Sequence, residues 1–150
     1  MGWLEPLLGT VVGLDSAPLI YFIEEQAPYL PIVRPFFQAL DLGQLSVVTS
    51  TVTLCEVLTA PLRDGDAELA QEYRDILLNS ANVKTIDVTP DVAERAAQIR
   101  ADFGLRTPDA IQVATALREG ASALLSNDIK LRSLPVIKVI LLRDLMATAP

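Results

Sequence analysis

The stretch VVGLDSAPLIYFI, residues 11–23, decides how this chain folds. Its first four residues form a short apolar run, the pattern of a strand buried on both faces. Asp15 and Ser16 interrupt the run. From Ala17 to about Glu24 the apolar character resumes with the look of a helix, and Pro18 is tolerated in its opening turn. A strand passing into a helix through an aspartate is the first half of a βαβ unit. Ligands of open parallel sheets bind outside the carboxyl ends of the strands, so Asp15 is placed on the functional edge.

The same alternation continues toward the C-terminus. Apolar spacing from Tyr29 to Leu42, broken by Pro31 and Pro35, predicts an irregular or kinked helix ended by Gly43. Leu45 to Thr49 reads as a second strand, after which Ser50 or Thr51 caps a helix reaching about Leu58 and stopped near Pro61. PLRDGD, residues 61–66, reads as an exposed loop. An amphipathic helix over 67–78 and a third strand over 83–88 follow. Thr89-Pro90-Asp91 opens a helix to Phe103, and Thr107-Pro108-Asp109 opens another; Gly104 and Gly120 end them. Residues 123–125 and 136–142 supply the fourth and fifth strands. Strands separated by helices require right-handed crossovers. The expected fold is therefore α/β, a parallel sheet of about five strands flanked by helices on both faces, in one domain over residues 1–150.

Composition narrows the chemistry. The chain is 51% hydrophobic and 21% charged, enough apolar residue for one core, and no basic leader or long uninterrupted apolar stretch is visible. A soluble cytoplasmic protein without membrane contact is expected. The single cysteine, Cys55, has no disulfide partner and lies in the apolar run VTLCEVL, which predicts a packed core thiol. There is no histidine, which removes the Ser-His-Asp triad and every imidazole-ligated metal. Carboxylates, hydroxyls, lysines and arginines must carry any reaction. A net charge of −7 disfavours a polyanionic ligand unless divalent cations invert the local field of an acidic pocket.

Three more acids are expected at the edge that carries Asp15. Asp128, in LLSNDIK, follows the fourth strand; Asp109 lies in the first turn of the helix leading to that strand; Glu56 lies about two turns into the helix after the second strand, among apolar residues. Singly each has a structural reading as a cap, a dipole partner, a turn residue or a solvated helix edge. Together those readings require four unrelated carboxylates to meet at one end of a sheet. Asp91 and Glu94 open a helix and Asp87 ends the third strand, so these acids are expected to be structural.

The residues also carry a family resemblance. VVGLDSAPLIYFI, TSTVTLCEVL, LRTPDAIQVATAL and LLSNDIKL resemble, in order, the four motifs of PIN domains, and the chain is most similar to VapC-type toxins of toxin–antitoxin pairs. The motifs span residues 11–131. The resemblance implies Asp15, Glu56, Asp109 and Asp128 as metal ligands, with Ser126 hydrogen-bonding near the ion or its water. It also implies a metal-dependent endoribonuclease, a homodimer and an antitoxin partner.

The chemistry suits hard cations. Mg²⁺ or Mn²⁺ takes oxygen ligands and keeps water, leaving positions for phosphate oxygens. Asp15 and Asp109 are the first-choice ligands, Glu56 is either a ligand or the base that orients the attacking water, and Asp128 serves a second ion or an outer-shell water. Arg106, Lys130 and Arg132 flank the same edge as candidate contacts to RNA phosphates. Two other readings stand beside this one. A phosphoaspartate receiver would use Asp15, Asp87, Ser126 and Lys138, but lacks an acidic pair after the first strand; a non-catalytic PIN-like binding module would need no turnover.

Overall fold

A computed structural model describes residues 2–146. After a 3₁₀ turn at Glu5–Leu7 come β1 (Val11–Leu14), α1 (Ser16–Ile23), α2 (Leu30–Asp41), β2 (Ser46–Ser50), α3 (Thr51–Arg63) and α4 (Ala67–Leu78). The chain continues through β3 (Val83–Ile86), α5 (Pro90–Phe103), α6 (Thr107–Arg118), β4 (Ala123–Ser126), a second 3₁₀ turn at Ile129–Leu131, β5 (Val139–Leu141) and α7 (Leu142–Met146). The five strands form one parallel sheet in the order β3-β2-β1-β4-β5. The expected α/β architecture is the observed one.

Alternation along the strands divides the core between the two faces. Val12 and Leu14 of β1 face one side with Leu19 of α1, Phe36 and Phe37 of α2, and Tyr73 and Leu77 of α4. Leu124 of β4 faces the other, against Val92, Ala96 and Ile99 of α5 and Val113 and Ala116 of α6. Gly13 lies on this second side and lets α6 approach closely: a Cβ there would sit 2.8 Å from the Cβ of Ala116. Neither atom can rotate away. Gly13→Ala is therefore expected to destabilise the chain by roughly 1–3 kcal/mol, as overpacking does. Urea unfolding checks it, and an unchanged midpoint would contradict the close approach.

Several boundaries differ from expectation for local reasons. α3 runs through Pro61, which is buried, and ends at Arg63, so only a short turn around Gly65 (φ +70°) remains of the expected 61–66 loop. β3 ends at Ile86 and β5 begins at Val139; both are edge strands with pairing on one side. The apolar segment 29–37 supplies the core residues Val33, Phe36 and Phe37. Cys55 is exposed, not packed in the core. Thr53, Val57 and Pro61 form the buried row of α3, and the helical period carries Cys55 and Glu56 to the outer side.

Strand order also removes the receiver reading. Receiver-type domains have the order 2-1-3-4-5. Here β3 is an edge strand and β2 separates it from β1, so Asp87 does not stand beside Asp15. Among the described residues no helix is long and apolar enough to cross a membrane.

Candidate active site at the carboxyl edge

The chain leaves β1 toward β2 and β3 in one direction, and the later strands β4 and β5 are added on the other side. The switch point lies between β1 and β4, where open α/β sheets have a crevice outside their carboxyl ends. Asp15 and Ser126 flank it. Asp15 caps α1: its Oδ1 accepts the Ser16 N–H at 2.8 Å, and its Oδ2 accepts the Ser126 hydroxyl at 2.7 Å. The Asp15 backbone N–H donates to the Leu125 carbonyl at 3.0 Å, so register with β4 fixes where the carboxylate stands.

β2 passes into α3 with no intervening loop, because Ser50 caps the helix through the Val52 N–H at 3.1 Å. That direct junction carries Glu56 back over the edge. Its Oε1 accepts the Ser16 hydroxyl at 2.6 Å, joining the second motif to the first. Asp109 stands in the first turn of α6, where the helix dipole favours an anion. It is 8% exposed, and the Arg106 guanidinium reaches its Oδ2 at 3.5 Å.

Burial pushes the Asp15 carboxyl above the ordinary carboxylate range. The hydrogen bonds from Ser126 and Ser16 oppose that shift, and the negative charges of Asp109 and Glu56 add to it. Thus three of the four predicted acids share one electrostatic site. Asp128 is joined to it indirectly: its N–H donates to Ser126 Oγ at 3.1 Å, while its own carboxylate accepts the Lys130 N–H at 3.0 Å and caps the second 3₁₀ turn. Among the described residues no three acids are already arranged to grip an ion. The donor set nevertheless fits a hard cation, being made of carboxylate oxygens with a buried Asp15 at its centre.

The predicted cations are differently placed. Lys130 is exposed, Arg106 is committed to Asp109, and Arg132 pairs with Asp144 at 2.6 Å. Three residues not singled out in the sequence enter the site region. Ser16 holds Glu56. Asn127, buried after β4, donates to the Tyr21 hydroxyl at 3.2 Å and accepts the Arg143 N–H at 2.9 Å. Arg143, just past β5, donates through its guanidinium to the Asn127 carbonyl at 2.9 Å and so is fixed at the same edge. Its sequence signal was an arginine directly after the last apolar strand. Of the acids expected to be structural, Asp91 accepts from the Thr89 hydroxyl and pairs with Arg118 at 2.9 Å, which together hold its carboxyl below the usual range.

The fold and the site define a doubly wound α/β domain with an acidic crevice at its switch point. The family model of the PIN domain matches residues 13–137. This chain belongs to the PIN domain family. No curated protein matches the sequence. Solved structures with similar folds include VapBC2 from Rickettsia felis bound to a DNA fragment from its promoter, at 18% identity and TM-score 0.68 over 87% of this chain and 97% of that one. A toxin–antitoxin complex from Klebsiella pneumoniae is similar at 23% identity and TM-score 0.63, covering 89% and 98%. Mycobacterium tuberculosis VapC20, a toxin that cleaves the sarcin–ricin loop, is similar at 18% identity and TM-score 0.63, covering 77% and 87%.

Proposed function

We propose that the chain is a divalent-cation-dependent endoribonuclease that hydrolyses RNA phosphodiester bonds and acts as the toxin of a type II toxin–antitoxin pair. The observation that carries this reading is the meeting of three carboxylates at the switch point: Ser16 and Ser126 hold Asp15, the Ser16 hydroxyl holds Glu56, and the charges of Asp109 and Glu56 act on Asp15. Carboxylates gathered at one edge are suited to share a cation, and oxygen donors alone suit Mg²⁺ or Mn²⁺. Membership of the PIN domain family supports nuclease chemistry. The toxin–antitoxin assemblies among similar folds support an antitoxin partner, and the sarcin–ricin cleaving toxin supports RNA as substrate.

In this reading Asp15 and Asp109 hold the ion, and Asp128 serves a second ion or a water in its outer shell. When bound, the ion stabilises charge on the phosphate and acidifies a coordinated water. Ser126 and the α1 N-terminus fix the Asp15 carboxylate before any ion arrives. Ser16 occupies Glu56 Oε1 and leaves Oε2 to complete the ion's shell or to orient the attacking water. Lys130 and Arg143 stand where they can meet backbone phosphates, joined by Arg106 and Arg132 once these exchange their carboxylate partners. A homodimer that presents a groove to an antitoxin segment belongs to the same reading, supported by large apolar side chains on the surface such as Leu62 (58% exposed) and Ile129 (51% exposed).

Labelled single-stranded RNA provides the test. Cleavage is expected with Mg²⁺ or Mn²⁺, is expected to stop in EDTA, and should return when the ion is added in excess. Undiminished cleavage in EDTA, or none with either ion, would contradict the proposal.

A further inference from the structure

Beneath the acids runs a buried hydrogen-bond chain with a single direction. Thr49 Oγ1 donates to the Leu14 carbonyl at 2.8 Å and lies 2.8 Å from Thr53 Oγ1. A hydroxyl has one proton. Thr49 has given its proton to Leu14, so it accepts from Thr53, and Thr53 in turn accepts from the side-chain amide of Gln112. The order Gln112, Thr53, Thr49, Leu14 carbonyl is thus fixed by proton count. All three side chains are buried, Thr53 completely.

Three of its four members stand next to an acid, and Thr49, on β2, links two of them. Leu14 immediately precedes Asp15; Thr53 lies one helical turn before Glu56 on α3; Gln112 lies one turn after Asp109 on α6. The chain therefore ties together the three elements that carry the acids. Apolar contact holds α6 against the sheet. Hydrogen bonds are directional and fix register. Paired buried polar groups add little stability over apolar residues of the same shape. Their presence here is accounted for by what they align.

We propose that Thr49, Thr53 and Gln112 are positioning residues that act through β1, α3 and α6 to keep Asp15, Glu56 and Asp109 in register at one edge, from which they would take up a divalent cation. This rests on the metal-binding reading given above. It adds the means by which three elements distant in sequence are kept in register.

Replacing both partners, in Thr53→Val/Gln112→Leu, removes the chain without leaving an unpaired amide, whereas Thr53→Val alone leaves Gln112 unsatisfied. The double variant is expected to melt near the wild type and the single variant lower. Mn²⁺ binding is measured calorimetrically without RNA, with Asp15→Asn as the control for site binding. The double variant is expected to bind Mn²⁺ about tenfold more weakly than wild type despite its recovered stability, as when groups supporting metal ligands are lost. Thr53→Ser, which keeps the hydroxyl, is expected to bind within about twofold of wild type. Equal Mn²⁺ affinity in a folded double variant would overturn the positioning role and leave the metal reading intact. If the wild type lacks Asp15-dependent Mn²⁺ binding, both fall together. Should the double variant not fold, Gln112→Met, which cuts only the link to α6, gives the same comparison: about tenfold weakening supports the role, and unchanged affinity overturns it.

Discussion

Asp15→Asn is expected to lower the rate of RNA cleavage by about 1000-fold, the equivalent of the several kcal/mol that a bound divalent ion contributes to phosphoryl chemistry. The substitution is nearly isosteric. Asparagine is among the preferred helix caps, so its side-chain oxygen can still accept the Ser16 N–H that Asp15 now binds. The Ser126 hydroxyl can reverse and accept from the new amide. What disappears is the charge. Glu56→Gln and Asp109→Asn are expected to show losses of the same order, since both acids share the electrostatic site with Asp15. Asp91→Asn should retain most activity, because Asp91 is bound to Thr89 and Arg118 at the start of α5. Asp87→Asn should do the same, beyond the edge strand β3. Initial rates on one labelled RNA check this set, and equal losses in the Asp91 and Asp87 variants would refute the site assignment.

Removing the same charge is expected to stabilise the metal-free protein. Burial and the neighbouring charges of Asp109 and Glu56 raise the folded-state pKa of Asp15 above its value in the unfolded chain. Between those two values the folded protein binds more protons than the unfolded one, so stability falls as pH rises through the interval. Above it the penalty is fully present. EDTA-treated wild type should therefore melt higher in mild acid, just above the ordinary aspartate range, than at neutral pH, as far as Asp15 governs the trend. Asp15→Asn should melt above wild type at neutral pH and lose this part of the slope. Mg²⁺ at about ten times its dissociation constant should stabilise the wild type by about 1.4 kcal/mol, or about 3–6 °C for a chain of this size, and the variant far less. Thermal melts with and without EDTA at several pH values measure all of this. A variant that melts below wild type in EDTA and responds equally to Mg²⁺ would mark Asp15 as a structural cap.

How much of this was legible depended on whether the signal was local. Asp15 announced itself because a carboxylate closes an apolar run, and Asp109 because Thr-Pro-Asp opens a helix; both observations need only neighbouring residues. The parallel sheet followed from alternation alone. Strand order did not, because no local feature says that β3 lies outside β2, and the receiver reading drew on that freedom. Cys55 lies outside the core because helical phase, not the apolar content of the run, decides which side each residue faces: Thr53, Val57 and Pro61 take the inner positions, and the cysteine turns outward with Glu56. Pro61 does not end α3, which accommodates a buried proline two residues before its end. The bonds from Gln112 to Thr53 and from Ser16 to Glu56 join residues 59 and 40 positions apart, and nothing local to either residue foretells its partner. Arg132 looked available for phosphate because Asp144, its partner, is 12 residues away in α7.

Whether the carboxylate edge binds a divalent cation decides the account most directly, and crystals soaked in Mn²⁺ can answer through anomalous scattering. The expected result is a peak within coordination distance of Asp15 and Asp109, absent from crystals of Asp15→Asn. Peaks confined to other surface acids, with Asp15 still bonded only to Ser16 and Ser126, would contradict it.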